Sequence, residues 1–401
     1  MAIAVALWRM DSADRARARP FALAVVALGV LMVVQLIPLP PGLWRSLPGR
    51  APYADALTTI GLGARWRPIS MAPDLTLYSL MGLLPVLAAA LMFAPLRTNE
   101  RLLLLDTSLG CLTVGALLSV AQVGAQALYF YDHTDYGLGV GSFANRNHQA
   151  LFLAVGILLI LCRWRIGERR SLRSVGTVVS FGAVAAILPL LVVTGSRAGL
   201  AAGILAFVAG ALVLVRDGIR VRASWQRWLI PTGTGLAIVV ALAIGAASSR
   251  ELALHRLLTS SADDLRAANL PALFDTIKAF FPIGSGYGTF DAVFRRFESD
   301  ALLRPSYFNH AHNELIEALI EGGLAAAALL AAGTLLLLQR VVRAWRSDPR
   351  QPSTVLARTA ALGIALLLLG SLVDYPLRTG FLAVLLVLLA TWLVPHDTPA
   401  P

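Results

Sequence analysis

Charge is scarce in this sequence. Aspartate, glutamate, lysine and arginine together make up 14% of its 401 residues, against roughly 25% in an ordinary soluble domain. A chain so poor in charge cannot hydrate its own surface, which excludes a water-soluble globular protein. Lysine is nearly absent, Lys278 being the only one, so the formal net charge of +11 is carried by arginine. Basic runs interleaved with base-stacking aromatics are missing too, which argues against a nucleic-acid partner. The two cysteines, Cys111 and Cys162, lie in separate apolar segments. Neither has a partner at disulfide or metal-ligand spacing, and both read as packing residues. No low-complexity tract and no inverted repeat of the transporter kind stands out.

What the chain has instead is apolar length. Hydrophobic residues make up 57% of it and the mean hydropathy is +0.71. Apolar stretches bounded by charge or by Pro/Gly fall at 21–38, 75–96, 102–122, 148–162, 174–194, 198–215, 229–247, 313–338, 354–373 and 378–394. About 20 apolar residues cross a hydrocarbon core of roughly 30 Å, so the pattern predicts an all-α polytopic membrane protein with about ten transmembrane helices. Met1–Pro20 puts a short apolar start before Arg15, Arg17 and Arg19. A cleavable signal peptide has the opposite order, so this segment reads as an uncleaved cytoplasmic lead into the first span.

The arginines give the expected orientation. They cluster after the fourth span (Arg163, Arg165, Arg169, Arg170, Arg173), after the sixth (Arg216, Arg220, Arg222, Arg227) and after the eighth (Arg340, Arg343, Arg346, Arg350). Placing all three clusters inside satisfies the positive-inside rule and puts Arg15–Arg19, the Arg97–Arg101 link and both termini in the cytoplasm of a bacterial inner membrane. The outer, periplasmic side then receives the segments 40–74 and 126–147, the short turn Gly195-Ser196-Arg197 and a large loop. The expected division is residues 1–247 as helices one to seven, 248–311 as the periplasmic loop and 312–401 as helices eight to ten. Within the loop, two helix-like stretches, Asp263–Phe281 and Thr289–Leu303, flank the helix-breaking run Pro282-Ile283-Gly284-Ser285-Gly286-Tyr287-Gly288.

Polar groups at the outer ends of apolar helices carry the functional signal, because burying them is costly unless they are paired or used. Four clusters qualify. In Thr194-Gly195-Ser196-Arg197-Ala198-Gly199, Arg197 either snorkels to lipid phosphate or grips a diphosphate with its planar fork. In Asn309-His310-Ala311-His312-Asn313-Glu314, the spacing to Glu317 and Glu321 puts His310, Glu314, Glu317 and Glu321 on one helix face. That cluster is either a solvated helix end or a site with a neutral histidine as general base; His-x-His lacks a third ligand at a familiar zinc spacing. Gly141-Ser142-Phe143-Ala144-Asn145-Arg146-Asn147-His148 reads as an interfacial cap or a site segment. Asp374-Tyr375-Pro376-Leu377-Arg378 reads as a proline-stopped turn or a site segment.

In this order the clusters resemble the O-antigen ligase family, which includes O-antigen polymerases and protein O-oligosaccharyltransferases. The resemblance runs through Gly141-x-Phe143-x-Asn145-Arg146-Asn147-His148, Gly195-Ser196-Arg197-Ala198-Gly199, and Arg266 followed by Pro282-Ile283-Gly284-x-Gly286-x-Gly288-x-Phe290. It continues through His312-Asn313-Glu314 with Glu321-Gly322-Gly323-Leu324 to Leu372-Val373-Asp374-Tyr375-Pro376-Leu377-Arg378, spanning roughly residues 70–395. It implies a GT-C-like membrane transferase that uses no metal or other cofactor. The implied donor is an undecaprenyl-diphosphate-linked glycan, and the implied acceptor another glycan or a lipid A-core. Arg197 and Arg266 would bind the donor diphosphate and His312 would activate the acceptor hydroxyl. Arg146, His148, His310, Asn313, Glu314, Asp374 and Arg378 would complete the substrate site. The stretch before residue 70 is short for the family. The tail after residue 395 offers no further soluble domain, which disfavours a protein-glycosylating member. A surface-polysaccharide polymerase and, from another class, a polysaccharide transporter or flippase are the competing readings.

Overall fold

The structure is a computed structural model that describes residues 2–167, 175–215, 261–302 and 308–394. The predicted seventh span (229–247) lies outside these residues. So do Arg169, Arg170, Arg173, the Arg216–Arg227 cluster, Arg250, Arg256, Arg304 and the start of the large loop. The described chain is helical apart from connections and one short antiparallel pair, β1 (Pro38–Leu39) with β2 (Arg67–Pro68). The helices are α1 (Ala2–Arg9), α2 (Ser12–Gln35), α3 (Pro41–Ser46), α4 (Ala51–Thr59), α5 (Pro73–Phe93), α6 (Thr98–Ala125) and α7 (Arg146–Ile166). They continue with α8 (Val175–Val193), α9 (Arg197–Gly210), α10 (Ser261–Phe280), α11 (Phe290–Phe294), α12 (Glu314–Arg346), α13 (Pro352–Ser371) and α14 (Gly380–Trp392).

Eight of these are long and apolar enough to cross a membrane: α2, α5, α6, α7, α8, α9 with the π-helical turn Ala211–Val215 that extends it, α12 and α13. The tenth expected span, 378–394, corresponds to a shorter apolar helix. It is the 13-residue α14, preceded by a 3-10 turn at Pro376–Arg378. At 1.5 Å per residue that helix covers about 20 Å, less than the roughly 30 Å of a hydrocarbon core. The N-terminal lead is helical as well. Asp11 caps α2, accepting from the Asp14 N–H at 2.7 Å, and Pro20 sits inside the helix. In the loop, the second helix-like stretch is only α11 and a 3-10 turn at Asp300–Leu302.

The bundle is built around α7, which is apolar on every face and almost wholly buried. It packs against α6, α8, α9 and α13, and α14 closes on α13 and α5. Close approach is made by small residues, as membrane helices require. Gly199 sits against Ala150, Gly203 against Leu191, and Gly370 against Leu151.

The two ends of the bundle differ. At one end arginines bind loop carbonyls and a carboxylate: Arg101 donates to the Val394 carbonyl at 2.7 Å, Arg165 to the Pro349 carbonyl at 3.3 Å, and Arg163 pairs with Asp106 at 2.7 Å. The opposite end gathers the starts of α7, α9 and α12, the ends of α2 and α13, and the Pro282–Gly288 turn. There Gln35 Nε2 donates to the Glu321 carbonyl at 2.9 Å and Gln35 Oε1 accepts from the Tyr287 N–H at 3.0 Å. Arg50, fully buried, donates at 2.7 Å to each of three carbonyls, those of Pro48, Ile69 and Gly284. Burial pulls its guanidinium down to about 10, which still leaves it charged at neutral pH. Gly284 (φ +87°) and Gly323 (φ +56°) lie back to back where the turn meets α12. A Cβ on Gly323 would strike the Pro282 carbonyl, and at that φ any L side chain is strained. The kink at Gly323 turns the first segment of α12, with its glutamates, away from the rest of the helix.

Candidate functional site

The site lies at the end of the bundle gripped by Gln35 and Arg50, and its centre is His312. The Asn313 side chain caps α12 by accepting from the Ile316 N–H at 3.1 Å, so the helix begins only at Glu314. This corrects the single-face expectation: His310 and His312 precede the helix, in the strand of chain that enters it. His312 has φ +48°, a left-handed backbone uncommon for a residue with a Cβ. Such strain is typical of functional positions held by their surroundings. Here the surroundings are Phe308 and Tyr375, whose rings are each 5.3 Å from the imidazole.

His312 Nδ1 is 3.0 Å from Asp374 Oδ1. The other oxygen, Oδ2, accepts from Asn147 Nδ2 at 2.6 Å and from Asn145 Nδ2 at 3.1 Å. Asp374 is 4% exposed, so burial alone would raise its carboxyl. The His312 contact, the nearby imidazoles and the Asn147 amide outweigh burial and hold it well below the usual carboxylate range. It is therefore ionised at neutral pH and accepts the Nδ1 proton, which leaves the His312 Nε2 lone pair free. Arg266, near the start of α10, brings its Nη2 to 3.4 Å from His312 Nδ1.

A second histidine–carboxylate pair lies beside the first. His310 Nδ1 is 2.8 Å from Glu317 Oε1, and Glu317 Oε2 accepts from the Ala311 N–H at 2.9 Å. Arg378 joins Glu317 at 3.2 Å and Glu321 at 2.6 Å. Burial would lower the Arg378 guanidinium, but the Glu321 and Glu317 carboxylates hold it above the ordinary arginine range. Glu314 Oε1 accepts the N–H groups of Leu377 and Arg378, at 2.8 and 3.1 Å. Asn313 Nδ2 donates to the Leu372 carbonyl at 3.0 Å. Asn313, Glu314 and Arg378 thus fasten the turn after α13 to the start of α12, which fixes Asp374 against His312.

Tyr375 stands between the histidines, its ring 4.1 Å from that of His310 and 5.2 Å, edge-on, from that of His148. Burial, then the Asp374 charge, push its phenol up to about 12. It serves as a neutral spacer at physiological pH.

The remaining expected residues begin two helices. Arg146 is the first residue of α7, with Nε 3.8 Å from Asp135 Oδ2. Arg197, half-buried, is the first residue of α9, after a Ser196 cap whose Oγ accepts from the Gly199 N–H at 3.0 Å. Arg146 Nη1 lies 3.6 Å from where a Cβ on Gly195 would be, so the two arginine-bearing turns adjoin. A cavity of about 240 Å³ between α7, α9 and α13 reaches from Ala198 and Gly199 to Asn147, His148 and Asp374. Among the described residues no group of three or more His, Cys, Asp or Glu side chains could hold a metal ion. Gln35, Arg50, Asn145, Asn147 and Tyr375 support or form this site without having been candidates. Asn145, Asn147 and Tyr375 lie in motifs that had a signal, whereas Gln35 and Arg50 had only their polarity beside an apolar span.

Residues 182–331 match the family model described as O-antigen ligase. Over those residues the chain is similar to the O-antigen ligase family. A comparison with curated proteins finds no match. The matched segment holds Arg197, Arg266, His310, His312 and the three glutamates of α12. Asp374 and its two asparagines lie outside it, on α13–α14 and α7, and complete the site from the flanking helices. The O-antigen ligase family consists of membrane proteins that transfer glycans, as ligases or polymerases, and the multi-pass helical bundle agrees with that.

Proposed function

We propose that this O-antigen ligase-like protein transfers a glycan en bloc from undecaprenyl diphosphate to an acceptor hydroxyl at the outer face of a bacterial inner membrane. The observation that carries the reading is the His312–Asp374 pair with the Arg266 guanidinium beside it. A base next to a cation is what this chemistry needs, because a polyprenyl diphosphate is already a good leaving group.

In the proposed reaction the acceptor hydroxyl gives its proton to His312 Nε2 and its oxygen bonds the anomeric carbon of the donor. The bond from that carbon to the diphosphate oxygen breaks, and its electron pair leaves with undecaprenyl diphosphate. Arg197 and Arg266 neutralise the departing charge, with Arg146 at its edge. Asp374 keeps His312 in the reactive tautomer and stabilises the imidazolium that forms. His310, held by Glu317, orients the acceptor. The site end of the bundle faces the periplasm and the arginine-rich end the cytoplasm, as the positive-inside rule requires.

The test is reconstitution with an undecaprenyl-diphosphate-linked glycan and candidate acceptors, following the sugar. Glycan on lipid A-core with release of undecaprenyl diphosphate identifies a ligase. Longer lipid-linked chains identify a polymerase. Movement of intact donor across the bilayer without transfer would replace the reading by transport.

A further inference from the structure

The cavity between α7, α9 and α13 ends on a histidine that the proposed chemistry leaves unused. We infer that His148 is a further substrate-contacting residue, its Nε2 bonded to a phosphate oxygen at the lipid end of a polyprenyl diphosphate. The inference rests on the donor proposed above and gives this expected substrate-site residue a definite atom and partner.

His148 is 4% exposed, and its ring is held on three sides. Nδ1 is 2.9 Å from the Thr379 hydroxyl, and the ring meets Tyr375 edge-on at 5.2 Å and Phe143 edge-on at 6.3 Å. Nε2 is buried and has no hydrogen-bond partner among the described residues. A buried ring nitrogen left unbonded costs free energy, and native structures rarely keep one without a use. The ring is part of the cavity wall, and a small turn of the imidazole would present Nε2 to a ligand there.

The cavity wall identifies the ligand. Its polar groups, Asn147, His148 and Asp374, sit at one end, and the rest includes Leu151, Ala202, Leu205, Leu366, Leu369 and Val373. Sugar hydroxyls along that wall would go unsatisfied, whereas an alkyl chain would not. Leu205, Leu369 and Val373 are exposed on the outside of the bundle, which gives a lipid-borne molecule a lateral entrance. At about 240 Å³ the space is below the roughly 300–1,000 Å³ of a pocket for a whole drug-sized ligand, so it takes the first part of a chain. The polar end suits an anion despite Asp374, whose charge is engaged by His312, Asn145 and Asn147. Two helices begin there, each with an arginine as its first residue, Arg146 on α7 and Arg197 on α9. Helix N-termini and arginines both favour phosphate.

The experiment measures binding of undecaprenyl diphosphate and of inorganic diphosphate to the full-length protein in detergent, alongside glycan transfer. The variants are His148→Phe, His148→Gln and Ala202→Phe. His148→Phe keeps the edge contacts and should weaken undecaprenyl diphosphate binding about tenfold, with His148→Gln recovering most of the loss. Ala202→Phe fills the cavity and should weaken the lipid ligand while leaving inorganic diphosphate unaffected. Where His148→Phe does not fold, His148→Leu takes its place with the same expected loss, and wild-type affinity in it counts equally against the role. Wild-type affinity in all folded variants, with transfer intact in the wild type, would overturn the role of His148 and leave the proposed function standing. A wild-type protein that neither binds undecaprenyl diphosphate nor transfers glycan would overturn both.

Discussion

Replacing Asp374 by asparagine changes one atom and should remove most of the activity. The two oxygens of Asp374 have different partners: Oδ1 meets His312 Nδ1 at 3.0 Å, and Oδ2 accepts from two amide groups, those of Asn147 and Asn145, at 2.6 and 3.1 Å. An asparagine here must point its carbonyl oxygen at those two donors, because the opposite orientation would set three NH2 groups against one another. Its own NH2 then faces His312 Nδ1 and forces that nitrogen to accept. The proton moves to Nε2, and the lone pair that takes the acceptor proton is lost. The same exchange in a His–Asp pair that serves a hydrolytic serine costs about 10⁴ in kcat with the geometry intact. A loss of about 10³ to 10⁴ is expected here, or about 4 to 5.5 kcal/mol in the barrier at about 1.36 kcal/mol per decade. The assay is transfer from an undecaprenyl-diphosphate-linked glycan in proteoliposomes at saturating donor, with size-exclusion behaviour as the folding control. A folded Asp374→Asn protein with kcat within about threefold of wild type would refute the pairing argument.

Four other outcomes are expected. His312→Ala should abolish transfer while membrane insertion, read by fractionation, is unchanged. Arg197→Ala and Arg266→Ala should each raise the apparent KM for the lipid-linked donor about tenfold or more, as loss of a charge-assisted hydrogen bond does, which initial rates against donor concentration would reveal. Arg50→Met should destabilise the protein by about 3 kcal/mol or more, because it strips three carbonyls of one buried donor; a lowered midpoint of thermal unfolding in detergent is the readout. Asp374 has a folded-state pKa below its unfolded value near 3.9, so its ionisation stabilises the fold fully above that value and the contribution fades as pH falls through it. The stability gap between wild type and Asp374→Asn should therefore shrink as pH falls below about 4, as chemical unfolding across the acid range would record.

The described membrane helices were legible because each is a long apolar run closed by charge, and Arg101, Arg163 and Arg165 lie at the end opposite the site. The start of the last helix was less legible, because hydropathy runs on through Leu377 whereas Arg378 sits in a 3-10 turn paired with Glu317 and Glu321. The members of the site could be picked out as costly polar groups at helix ends. Their partnerships could not, since His312 and Asp374 are 62 residues apart and Asp374 and Asn147 are 227 apart. An ionised aspartate between two apolar segments does announce that it must be paired, but not with what. The left-handed backbone of His312 had no signal at all, since it is imposed by tertiary packing. Gln35 and Arg50 likewise gave only polarity at the edge of a span. Their role comes from the backbone of a distant turn: Gln35 accepts from the Tyr287 N–H, 252 residues away, and Arg50 donates to the Gly284 carbonyl, 234 residues away.

The most direct measurement pairs wild type with His312→Ala in proteoliposomes that contain an undecaprenyl-diphosphate-linked glycan and a lipid A-core or lipid-linked acceptor. The account predicts that wild type lengthens the acceptor and releases one undecaprenyl diphosphate per glycan moved, and that His312→Ala does neither while retaining bound donor. Equal transfer by the two proteins, or donor crossing the bilayer without transfer, would contradict it.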